Sequence, residues 1–425
     1  MLFLYTIGLW LYALLLRLAA PFVPKAAQWT NGRRGLLAHI QQALQAETAP
    51  RVWFHCASLG EFEQGRPLLE VYRQQYPQHK IVLTFFSPSG YEIRKDWPGA
   101  DYIFYLPLDT AANTGAFLDA VQPRLAVFVK YEFWYYFLTG LHRRQVPTIC
   151  VSAIFRPDQV FFKPWGGLFR RMLGCFTHIF TQNEASTALL RQLGIRQVST
   201  AGDTRFDTVV ATAAAPPKAL PILTAFGADG TPVLVVGSSW PEDITMLTPA
   251  LQALAPAALR VLVAPHELHE TGLRQVEALL PGQVLRYSQA TPETAATARI
   301  LLIDSIGLLR ELYRYGTLGY VGGAFGKGLH NTLEAAVFGL PLLFGPNYHK
   351  FQEAKDLIQL GGADAVKDAE ELETALKFLV YNPEQRQPIV EKNRRYVLTQ
   401  AGATAKIMRW LDGELSLRAA RSNPS

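Results

Sequence analysis

Short apolar runs alternate with amphipathic stretches along most of the chain from Arg51 onward. In the first half the runs are RVWFHCAS, KIVLTFFS, YIFYLPL, LAVFVKY, PTICVSAI, HIFTQ and QVSTAG. In the second half they are PVLVVGSS, LRVLVAPHE, QVLRYS, ARILLID, LGYVGGA and LPLLFG. Continuously apolar strands separated by helices are typical of parallel sheets that are covered on both faces. The pattern therefore predicts an α/β protein with two doubly wound, Rossmann-like domains that face a central cleft.

The first residues follow a different pattern. Residues 2–23 are apolar apart from Arg17, and about 20 such residues are enough to cross a bilayer core. The stretch has neither the basic n-region nor the small-residue cleavage site of a signal peptide. We expect a membrane-anchoring helix over residues 1–24, and two alternatives stay open: a helix that lies in the membrane interface, and a buried first helix of a soluble domain. The basic residues Lys25, Arg33 and Arg34 predict, by the positive-inside rule, that the rest of the chain is cytoplasmic.

The alternation breaks near residues 207–231, where Ala, Pro and other small residues dominate. This break is interpreted as the connection between the two domains and is expected to contain a short helix. The predicted boundaries are 25–210 for the N-terminal domain, 211–230 for the linker and 231–425 for the C-terminal domain. In sheets of this kind, ligands bind beyond the carboxyl ends of the strands.

Charge and cysteine content narrow the classes of function. The chain of 425 residues has a net charge of +6, which suits anionic lipid, phosphorylated ligands or nucleic acid. Its three cysteines are scattered and show no CxxC spacing, so neither a disulfide framework nor a zinc site is indicated. Cys56 is predicted to be a small buried residue.

A glycine-rich segment, GYVGGAFGKGLHNTLEAAVFGLPLLFGP, covers residues 319–346. We expect a strand, a loop and then a helix that begins near His330 or Asn331, with Asn331 as its N-cap. Glycines allow a backbone to approach a ligand closely, and the N-terminus of a helix attracts phosphate. Lys327 adds a positive charge. The spacing matches neither a Walker A loop nor a dinucleotide-binding GxGxxG, so the segment predicts an anion site of another kind.

Chemically competent side chains also follow several predicted strands. Glu61 comes after the strand RVWFHC, directly behind Gly60, and the residues alone leave two interpretations open: a first-turn acid that faces the helix dipole, or a catalytic group. The segments 130–132 and 265–267 fall at corresponding strand ends. His266 and His269 have no third ligand at a useful spacing, so a metal site is not predicted there.

Several motifs occur together in one order along nearly the whole chain. They are the apolar N-terminus, NGRRG (31–35), HCASLGEFEQGRPLLE (55–70), KYEFWYYFL (130–138), GDTRFD (202–207), VGSSWPED (236–243), APHE (264–267), DSIGLLRELY (304–313) and GGAFGKGLHNTLEAAVFGLPLLFGPNYHKFQEA (322–354). With these motifs the chain resembles the Kdo transferases, which add 3-deoxy-D-manno-octulosonic acid (Kdo) to a lipid A precursor. The resemblance implies a GT-B glycosyltransferase that is inverting, metal-independent and free of cofactors.

The resemblance also assigns roles to single residues. Glu61 matches the family's general base, and Glu132 and Arg205 match residues that stabilise the transition state. The implied contacts to the cytidine nucleotide are Pro265, His266, Ile306, Gly307, Leu308, Lys327, Asn331, Thr332, Leu333 and Glu334. Four positions depart from the family's usual residues: Lys130 replaces an acid, Arg205 a lysine, Pro265 an arginine and Leu308 an acid. Lys130 is given no catalytic part.

The partners follow from the same resemblance. The implied donor is CMP-Kdo, bound by the C-terminal domain, and the implied acceptor is a lipid A precursor, bound by the N-terminal domain. Inner-membrane lipids are expected at the N-terminal anchor on the cytoplasmic face, with no nucleic acid. Arg33, Arg34 and the segment 160–172 are candidates for contact with anionic lipid headgroups, and for the segment ordinary packing is an equal alternative.

Two other functions stay open. One is a GT-B transferase or epimerase that acts on another nucleotide sugar, such as a UDP-linked hexosamine. The other is a non-catalytic membrane-tethered binding protein, and the presence of Glu61 counts against it.

Overall fold

The computed structural model describes residues 1–130 and 132–422, with side chains described as far as residue 415. Tyr131, within the motif KYEFWYYFL, lies outside the described residues. The chain divides into two compact units. The first unit contains residues Met1–Asp207 and the described residues from Ala401 onward, and the second contains Thr208–Gln400.

A parallel sheet of seven strands forms the centre of the first unit, in the order β3-β2-β1-β4-β5-β6-β7. The strands are β1 (Arg51–Cys56), β2 (Lys80–Phe85), β3 (Tyr102–Tyr105), β4 (Pro123–Val129), β5 (Thr148–Ala153), β6 (His178–Thr181) and β7 (Val198–Thr200). Val52 and Phe54 pack in the core on one face of the sheet, and Trp53 packs in the core on the other. Because both faces are covered, the strands are mostly apolar, as the sequence pattern predicts.

The helices that begin before Thr208 belong to the first unit, except that the last of them continues past Asp207 into the second. They are α1 (Leu2–Ala19), α2 (Pro24–Asn31), α3 (Leu36–Leu44), α4 (Leu59–Gln75), α5 (Pro88–Arg94), α6 (Ala111–Val121), α7 (Tyr135–Arg143), α8 (Gly167–Leu173), α9 (Glu184–Gln192) and α10 (Thr204–Ala214), with a 3-10 turn at Val160–Phe162. The chain leaves β1 toward β2 and β3, then returns to the other side of β1 to form β4. The carboxyl ends of β1 and β4 therefore form the topological switch point of this sheet, hereafter the first switch point.

The second unit has its own parallel sheet of seven strands, in the order β10-β11-β9-β8-β12-β13-β14. The strands are β8 (Val233–Ser239), β9 (Arg260–Pro265), β10 (Val284–Arg286), β11 (Ile300–Leu302), β12 (Leu318–Val321), β13 (Leu342–Phe344) and β14 (Ala363–Ala365). Strands β9, β10 and β11 lie on one side of β8, and β12 begins the other side. The carboxyl ends of β8 and β12 are therefore the second switch point.

The helices of the second unit are α11 (Pro221–Phe226), α12 (Pro241–Ala253), α13 (Glu270–Leu279), α14 (Pro292–Thr297), α15 (Leu309–Leu312), α16 (Leu333–Ala336), α17 (Gln352–Gln359), α18 (Ala369–Tyr381) and α19 (Pro383–Gln400), with 3-10 turns at Pro256–Ala258, Tyr287–Gln289 and Tyr313–Tyr315. Helix α11 is the short helix expected in the interdomain connection. The prediction of two doubly wound α/β domains is confirmed by the two sheets.

The last helix, α20 (Ala403–Ser422), differs from the predicted boundaries, which place residues 231–425 in one domain. Ile407, Met408 and Leu411 are buried in the core of the first unit, beside the strand residues Val52 and Phe54. Burial of this apolar stripe holds the helix on the first sheet. Adjacency along the chain does not decide which core a terminal helix completes.

Helix α1 contacts the first unit along one face only. Ala13 and Leu9 pack beside Trp29, and the Tyr5 hydroxyl donates a hydrogen bond to the buried Asp109 carboxylate (2.6 Å). The opposite face is solvent-exposed, with Phe3, Leu4, Ile7, Trp10, Leu11, Leu14, Leu15 and Leu18 each at least 44% exposed. By length and composition α1 is able to cross a membrane, and 6% of its apolar window is buried. The alternative of a buried core helix is therefore not supported.

Arg33 is enclosed by aromatic rings of the first unit. Its guanidinium lies 4.1 Å from the Trp29 ring centroid and donates hydrogen bonds to the carbonyl oxygens of Leu106 (3.0 Å) and Phe86 (2.8 Å). Burial lowers the pKa of Arg33 to about 9. The expectation that Arg33 contacts lipid headgroups is wrong, because this side chain holds the end of α2 against the sheet. Arg34 is exposed.

Segment 160–172 packs mostly as ordinary structure. Phe161, Leu168 and Met172 are buried in the core of the first unit. Arg170 donates hydrogen bonds to the carbonyl oxygens of Phe161 (3.0 Å) and Lys163 (2.8 Å). The packing alternative therefore accounts for most of this segment.

Candidate active site

Glu61 stands in the first turn of α4, directly beyond the carboxyl end of β1. Ser58 is the N-cap residue, and its hydroxyl donates a hydrogen bond to the Glu61 carboxylate. The side chain of Glu61 is half-buried. Helix α4 lies close to the sheet because Gly65 faces it: a Cβ at Gly65 would be 2.8 Å from Val129 Cγ2 and 3.4 Å from Cys56 Sγ. The glycine thus brings the helix that carries Glu61 onto the first switch point.

Glu132 follows β4 on the other side of the same crevice. Lys130 precedes it with φ = +69°, a left-handed conformation that is uncommon for a residue other than glycine. The Glu132 side chain is 7% exposed, and its Oε2 lies 3.0 Å from His55 Nε2 and 2.7 Å from Trp134 Nε1. A buried carboxylate needs such donors.

The charges of both glutamates affect one buried thiol at the end of β1. Burial, then the charges of Glu61 and Glu132, raise the pKa of the Cys56 thiol. Cys56, Cys150 and Cys175 are all buried free thiols, as expected for Cys56. The structure therefore gathers Glu61 and Glu132, which are far apart in sequence, at the first switch point.

Arg205 lies in the first turn of α10. Its Nε donates a hydrogen bond to Asp203 Oδ2 (2.8 Å), and its Nη2 lies 2.7 Å from the same oxygen. The neighbouring Thr204 hydroxyl contacts Ser152 Oγ (2.9 Å) and the Gln64 carbonyl oxygen on α4. The planar guanidinium is thus fixed by a carboxylate, on an element that is tied to the helix carrying Glu61.

A stack of rings occupies the second switch point. The Trp240 ring, just after β8, lies 4.6 Å from the ring of His266, which follows β9. His266 stacks in turn on His330 (4.6 Å), and Trp240 Nε1 donates a hydrogen bond to His330 Nε2 (3.1 Å). Lys327 Nζ lies 3.6 Å from the Trp240 centroid, within cation–π range. Sequence reasoning missed Trp240 and His330, although Trp240 stands in the quoted motif VGSSWPED.

Desolvation keeps both imidazoles neutral near pH 7. Burial lowers the pKa of His266, and it lowers the pKa of His330 to about 4. His269 does not converge with His266: its Nδ1 accepts a hydrogen bond from Gly272 N (3.0 Å) at the start of α13. In the described part of the chain, no group of three or more His, Cys, Asp or Glu residues has the arrangement of a metal site.

The helix after the glycine-rich loop is shorter than predicted. Helix α16 has four residues, its N-cap is Thr332 instead of Asn331, and Asn331 Oδ1 accepts a hydrogen bond from Leu333 N (3.2 Å). A macrodipole needs aligned peptide units, so one turn contributes little attraction for an anion. The predicted start of this helix, near His330 or Asn331, is corrected to Leu333, the anion site at its N-terminus stays a prediction, and side chains are expected to supply much of the attraction.

Two buried hydroxyls are candidates for that task. Ser239 is 2% exposed and Thr332 is fully buried, and neither side-chain oxygen has a hydrogen-bond partner among the described residues. An unpartnered buried hydroxyl is costly, and ligand binding is one explanation for it. Sequence reasoning included Thr332 but missed Ser239, which ends β8.

The remaining predicted nucleotide contacts are spread around this edge. Pro265 ends β9 and is buried, and the Leu333 side chain is buried in the core, so only its backbone is available. Ile306 is 90% exposed, and Gly307 has φ = +84° in the loop that leads to Leu308 and α15. Glu334 accepts a hydrogen bond from Arg310 Nε (3.1 Å), so an ion pair ties α15 to α16.

The sequence of the chain is similar to one family of known proteins. Residues 30–208 match the family model described as 3-Deoxy-D-manno-octulosonic-acid transferase (kdotransferase). The 3-deoxy-D-manno-octulosonic acid transferase of Bordetella pertussis is 28% identical over 427 residues, covering 94% of this chain and 98% of that protein. Its namesakes from Chlamydophila psittaci (27%, 82% of each chain) and Aquifex aeolicus (26%, 81% of this chain and 89% of that protein) are similar too.

Solved structures agree on the fold. The UDP-GlcNAc 2-epimerase from Neisseria meningitidis, bound to UDP-GlcNAc, aligns with a TM-score of 0.58 at 14% identity, covering 85% of this chain and 99% of that one. The Methanocaldococcus jannaschii UDP-GlcNAc 2-epimerase aligns with a TM-score of 0.52 at 13% identity, covering 82% and 99%. The structural alignments establish the GT-B architecture. At sequence identities this low they leave the activity open. By a family model that matches residues 30–208 and by relatives that are similar over most of its length, the chain is similar to the 3-deoxy-D-manno-octulosonic acid transferases, which are glycosyltransferases.

Proposed function

We propose that the protein transfers Kdo from CMP-Kdo to a lipid A precursor, with inversion at the anomeric carbon. A bond forms between an acceptor hydroxyl oxygen and the anomeric carbon, the bond from that carbon to the nucleotide phosphate breaks, and CMP leaves. The hydroxyl proton passes to Glu61, since oxygen is a better nucleophile when a base removes its proton. The observation that carries the proposal is the gathering of Glu61 and Glu132 at the first switch point.

Glu61 suits the role of base. It is half-buried at the mouth of a crevice where doubly wound sheets bind ligands. Its hydrogen bond from Ser58 orients the carboxylate without covering it. A first-turn acid that only caps the helix would gain nothing from the glycine that draws α4 onto β1 and β4, so Gly65 favours the catalytic interpretation.

Glu132 and Arg205 are proposed to stabilise the transition state. An oxocarbenium-like centre carries positive charge, which a held carboxylate such as Glu132 offsets, and the departing phosphate carries negative charge, which suits a guanidinium. Arg205 keeps the charge of the family's usual lysine. Its fork is fixed by Asp203, so its direction is preset.

The second unit is proposed to hold the cytidine nucleotide. Lys327 supplies positive charge for the phosphate, and the hydroxyls of Ser239 and Thr332 are buried donors without partners in the described structure. The neutral rings of Trp240, His266 and His330 provide flat surfaces beside them. Positive side chains make the nucleotide a better leaving group, so we expect activity to persist when divalent metals are chelated.

Attachment to the cytoplasmic face of the inner membrane is proposed for α1. Its outward face is apolar, with Arg17 as its charged residue, and its inward face is held by Tyr5 and Ala13. A lipid acceptor presented in the same bilayer would then meet the first unit without leaving the membrane. Whether α1 crosses the bilayer or lies in the interface is decided by protease protection of tags placed before Leu2.

The test is mass spectrometry of a lipid A precursor incubated with CMP-Kdo and the full-length protein, with and without a chelator. We expect the acceptor to gain one or more Kdo units, and NMR of donor and product to show opposite anomeric configurations. Competition with CMP, but not UMP or UDP, should inhibit the reaction. Transfer from a UDP-hexosamine, or no product with CMP-Kdo, would overturn the proposal.

A further inference from the structure

His55 is a buried polar residue on β1, whose other residues apart from Arg51 are apolar. It is the fifth residue of β1 and is fully buried, as are its neighbours Trp53 and Phe54. An imidazole removed from water is costly unless both ring nitrogens find partners. The proposed mechanism assigns roles to Glu61, Glu132 and Arg205 and none to His55.

Both ring nitrogens do have partners. Nδ1 lies 2.8 Å from Thr84 Oγ1, and Nε2 lies 3.0 Å from Glu132 Oε2. Thr84 is held in turn, because Trp53 Nε1 donates a hydrogen bond to its hydroxyl oxygen (2.8 Å). The chain of contacts therefore runs from the core of the sheet to the carboxylate at the first switch point.

His55 Nδ1 also lies 3.1 Å from the Thr84 carbonyl oxygen, and Trp134 Nε1 lies 3.2 Å from His55 Nε2. For a neutral imidazole, one arrangement of protons gives the Glu132 carboxylate a donor from His55. Trp53 N–H donates to the Thr84 oxygen, so the Thr84 O–H donates to His55 Nδ1. The imidazole then carries its proton on Nε2 and donates it to Glu132 Oε2, which also accepts the Trp134 N–H (2.7 Å). In this arrangement the Thr84 hydroxyl and the Glu132 carboxylate both favour the Nε2-protonated tautomer of His55, and two donors converge on one oxygen of Glu132.

Glu132 needs external support because no regular element holds it. It stands between the end of β4 and the start of α7, in a segment that begins with the left-handed Lys130. A carboxylate in irregular backbone samples several rotamers, and a group that stabilises a transition state is effective only when its position is preset. The described hydrogen bonds use Oε2, so they orient the carboxylate without occupying Oε1.

We propose that His55, with its tautomer favoured by Thr84, is a positioning residue that fixes the Glu132 carboxylate for the transfer reaction. The inference rests on the function proposed above for Glu132. His55 does not touch the substrates. Its removal lowers kcat and leaves the KM for donor and acceptor nearly unchanged, because the binding surfaces stay in place.

The test compares four variants of the full-length protein in the transfer assay. Gln places an N–H donor near the position of Nε2, so His55→Gln is expected to keep kcat within about threefold of the parent. His55→Leu has no donor and is expected to lose about 10- to 100-fold in kcat. Thr84→Ser keeps the hydroxyl and the activity, whereas Thr84→Val is expected to lose kcat in the same direction as His55→Leu.

A double-mutant cycle separates positioning from general damage. Glu132→Gln alone should lower kcat, and adding His55→Leu to it should cost little more, because the two residues act as one unit. Thermal melting reports whether each variant is folded. If His55→Leu does not fold, the kcat values of Thr84→Val and His55→Gln distinguish positioning from structural damage. Full activity of Glu132→Gln would overturn the role of Glu132 itself. Loss of activity in Glu132→Gln together with parental kcat in His55→Leu or Thr84→Val would overturn the positioning inference alone.

Discussion

The two switch points of this protein occupy equivalent places in two similar sheets and carry opposite chemistry. At the first switch point, burial and then the carboxylates of Glu61 and Glu132 raise the pKa of the Cys56 thiol. At the second, Lys327 caps a stack of neutral rings that begins with Trp240. A parallel sheet provides a crevice wherever its chain order reverses, and the residues that follow the strands decide what the crevice does.

The helices that follow the central strands differ as well. Helices α4 (17 residues) and α12 (13 residues) follow the central strands β1 and β8, whereas α7 (nine residues) and α16 (four residues) follow β4 and β12. A long helix presents a strong positive end, which tolerates and orients an acid such as Glu61. The one-turn α16 contributes little attraction through its dipole, so we expect side chains to supply much of the attraction for a phosphate beside the glycine-rich loop.

Both edges share one feature of the backbone. Lys130 at the end of β4 has φ = +69°, and Ser238 near the end of β8 has φ = +52°. Non-glycine residues with positive φ cost free energy and cluster at functional sites, where the surrounding structure holds them in place. Their occurrence at equivalent edges supports the assignment of a function to each.

The largest expected effect is that of Glu61→Gln. If the first switch point performs the proton transfer, this change lowers kcat by about 10²- to 10⁴-fold, because the amide cannot accept the proton. The affinity for CMP should stay the same, since the second unit is unchanged. Isothermal titration with CMP and the mass-spectrometric transfer assay measure the two quantities.

Glu70→Gln is the matched control, since Glu70 is exposed on the same helix. It should retain parental activity. A Glu61→Gln variant with parental kcat would contradict the contrast between an acidic first switch point that transfers the proton and a basic second switch point that binds the nucleotide.

A smaller effect is expected from Ser239→Ala and Thr332→Val. A hydrogen bond to a charged phosphate contributes about 1.5–3 kcal/mol, so each change should weaken CMP binding at least tenfold by calorimetry. The stability of the nucleotide-free protein should hold or rise, because each variant removes a buried hydroxyl that lacks a partner.

Thr245→Val, an exposed threonine on α12, serves as the control and should bind CMP normally. Unchanged CMP affinity in both Ser239→Ala and Thr332→Val would remove these hydroxyls from the second switch point.

The smallest effect is a change of the free energy of unfolding with pH. One half-buried histidine in each unit contributes to it. Burial lowers the pKa of His178 to about 4 in the first unit and that of His330 to about 4 in the second, from 6.5. As the pH falls from about 7 to about 5, the unfolded chain gains protons on these imidazoles that the folded protein does not accept. The free energy of unfolding should therefore fall, by about 1 kcal/mol for each ring after allowance for solvent screening.

Urea denaturation at both pH values, with the variants His178→Gln and His330→Gln, measures this loss. Each variant should reduce the pH dependence of the free energy of unfolding. Equal pH dependence in the parent and in both variants would contradict the assignment.

Patterns of local composition predicted some features well. The alternation of apolar runs and amphipathic stretches indicated the seven strands of the first sheet and six of the seven in the second, since strands covered on both faces are mostly apolar. It missed β14, whose three residues Ala363–Ala365 form no apolar run. The burial of Cys56 also followed from its residue type and context. The resemblance to the Kdo transferases is confirmed by the comparisons.

Other features depend on contacts between distant segments. Arg33 reads as a surface cation, but three aromatic rings and several carbonyl oxygens enclose it. Asn331 is a favourable N-cap residue, yet the helix begins one residue later and ends after a single turn. His55 lies on a mostly apolar strand, and only the pairing with β2 and the approach of Glu132 show its partners.

The sequence by itself determined which segments become strands and helices, because burial on both faces, turn chemistry and helix periodicity are local in the chain. The tertiary structure alone decided which core receives the last helix, which hydroxyls stay without partners, and which side chains meet at each switch point. Those outcomes depend on the order in which strands pair, and contacts between residues far apart in sequence leave no local pattern from which to predict them.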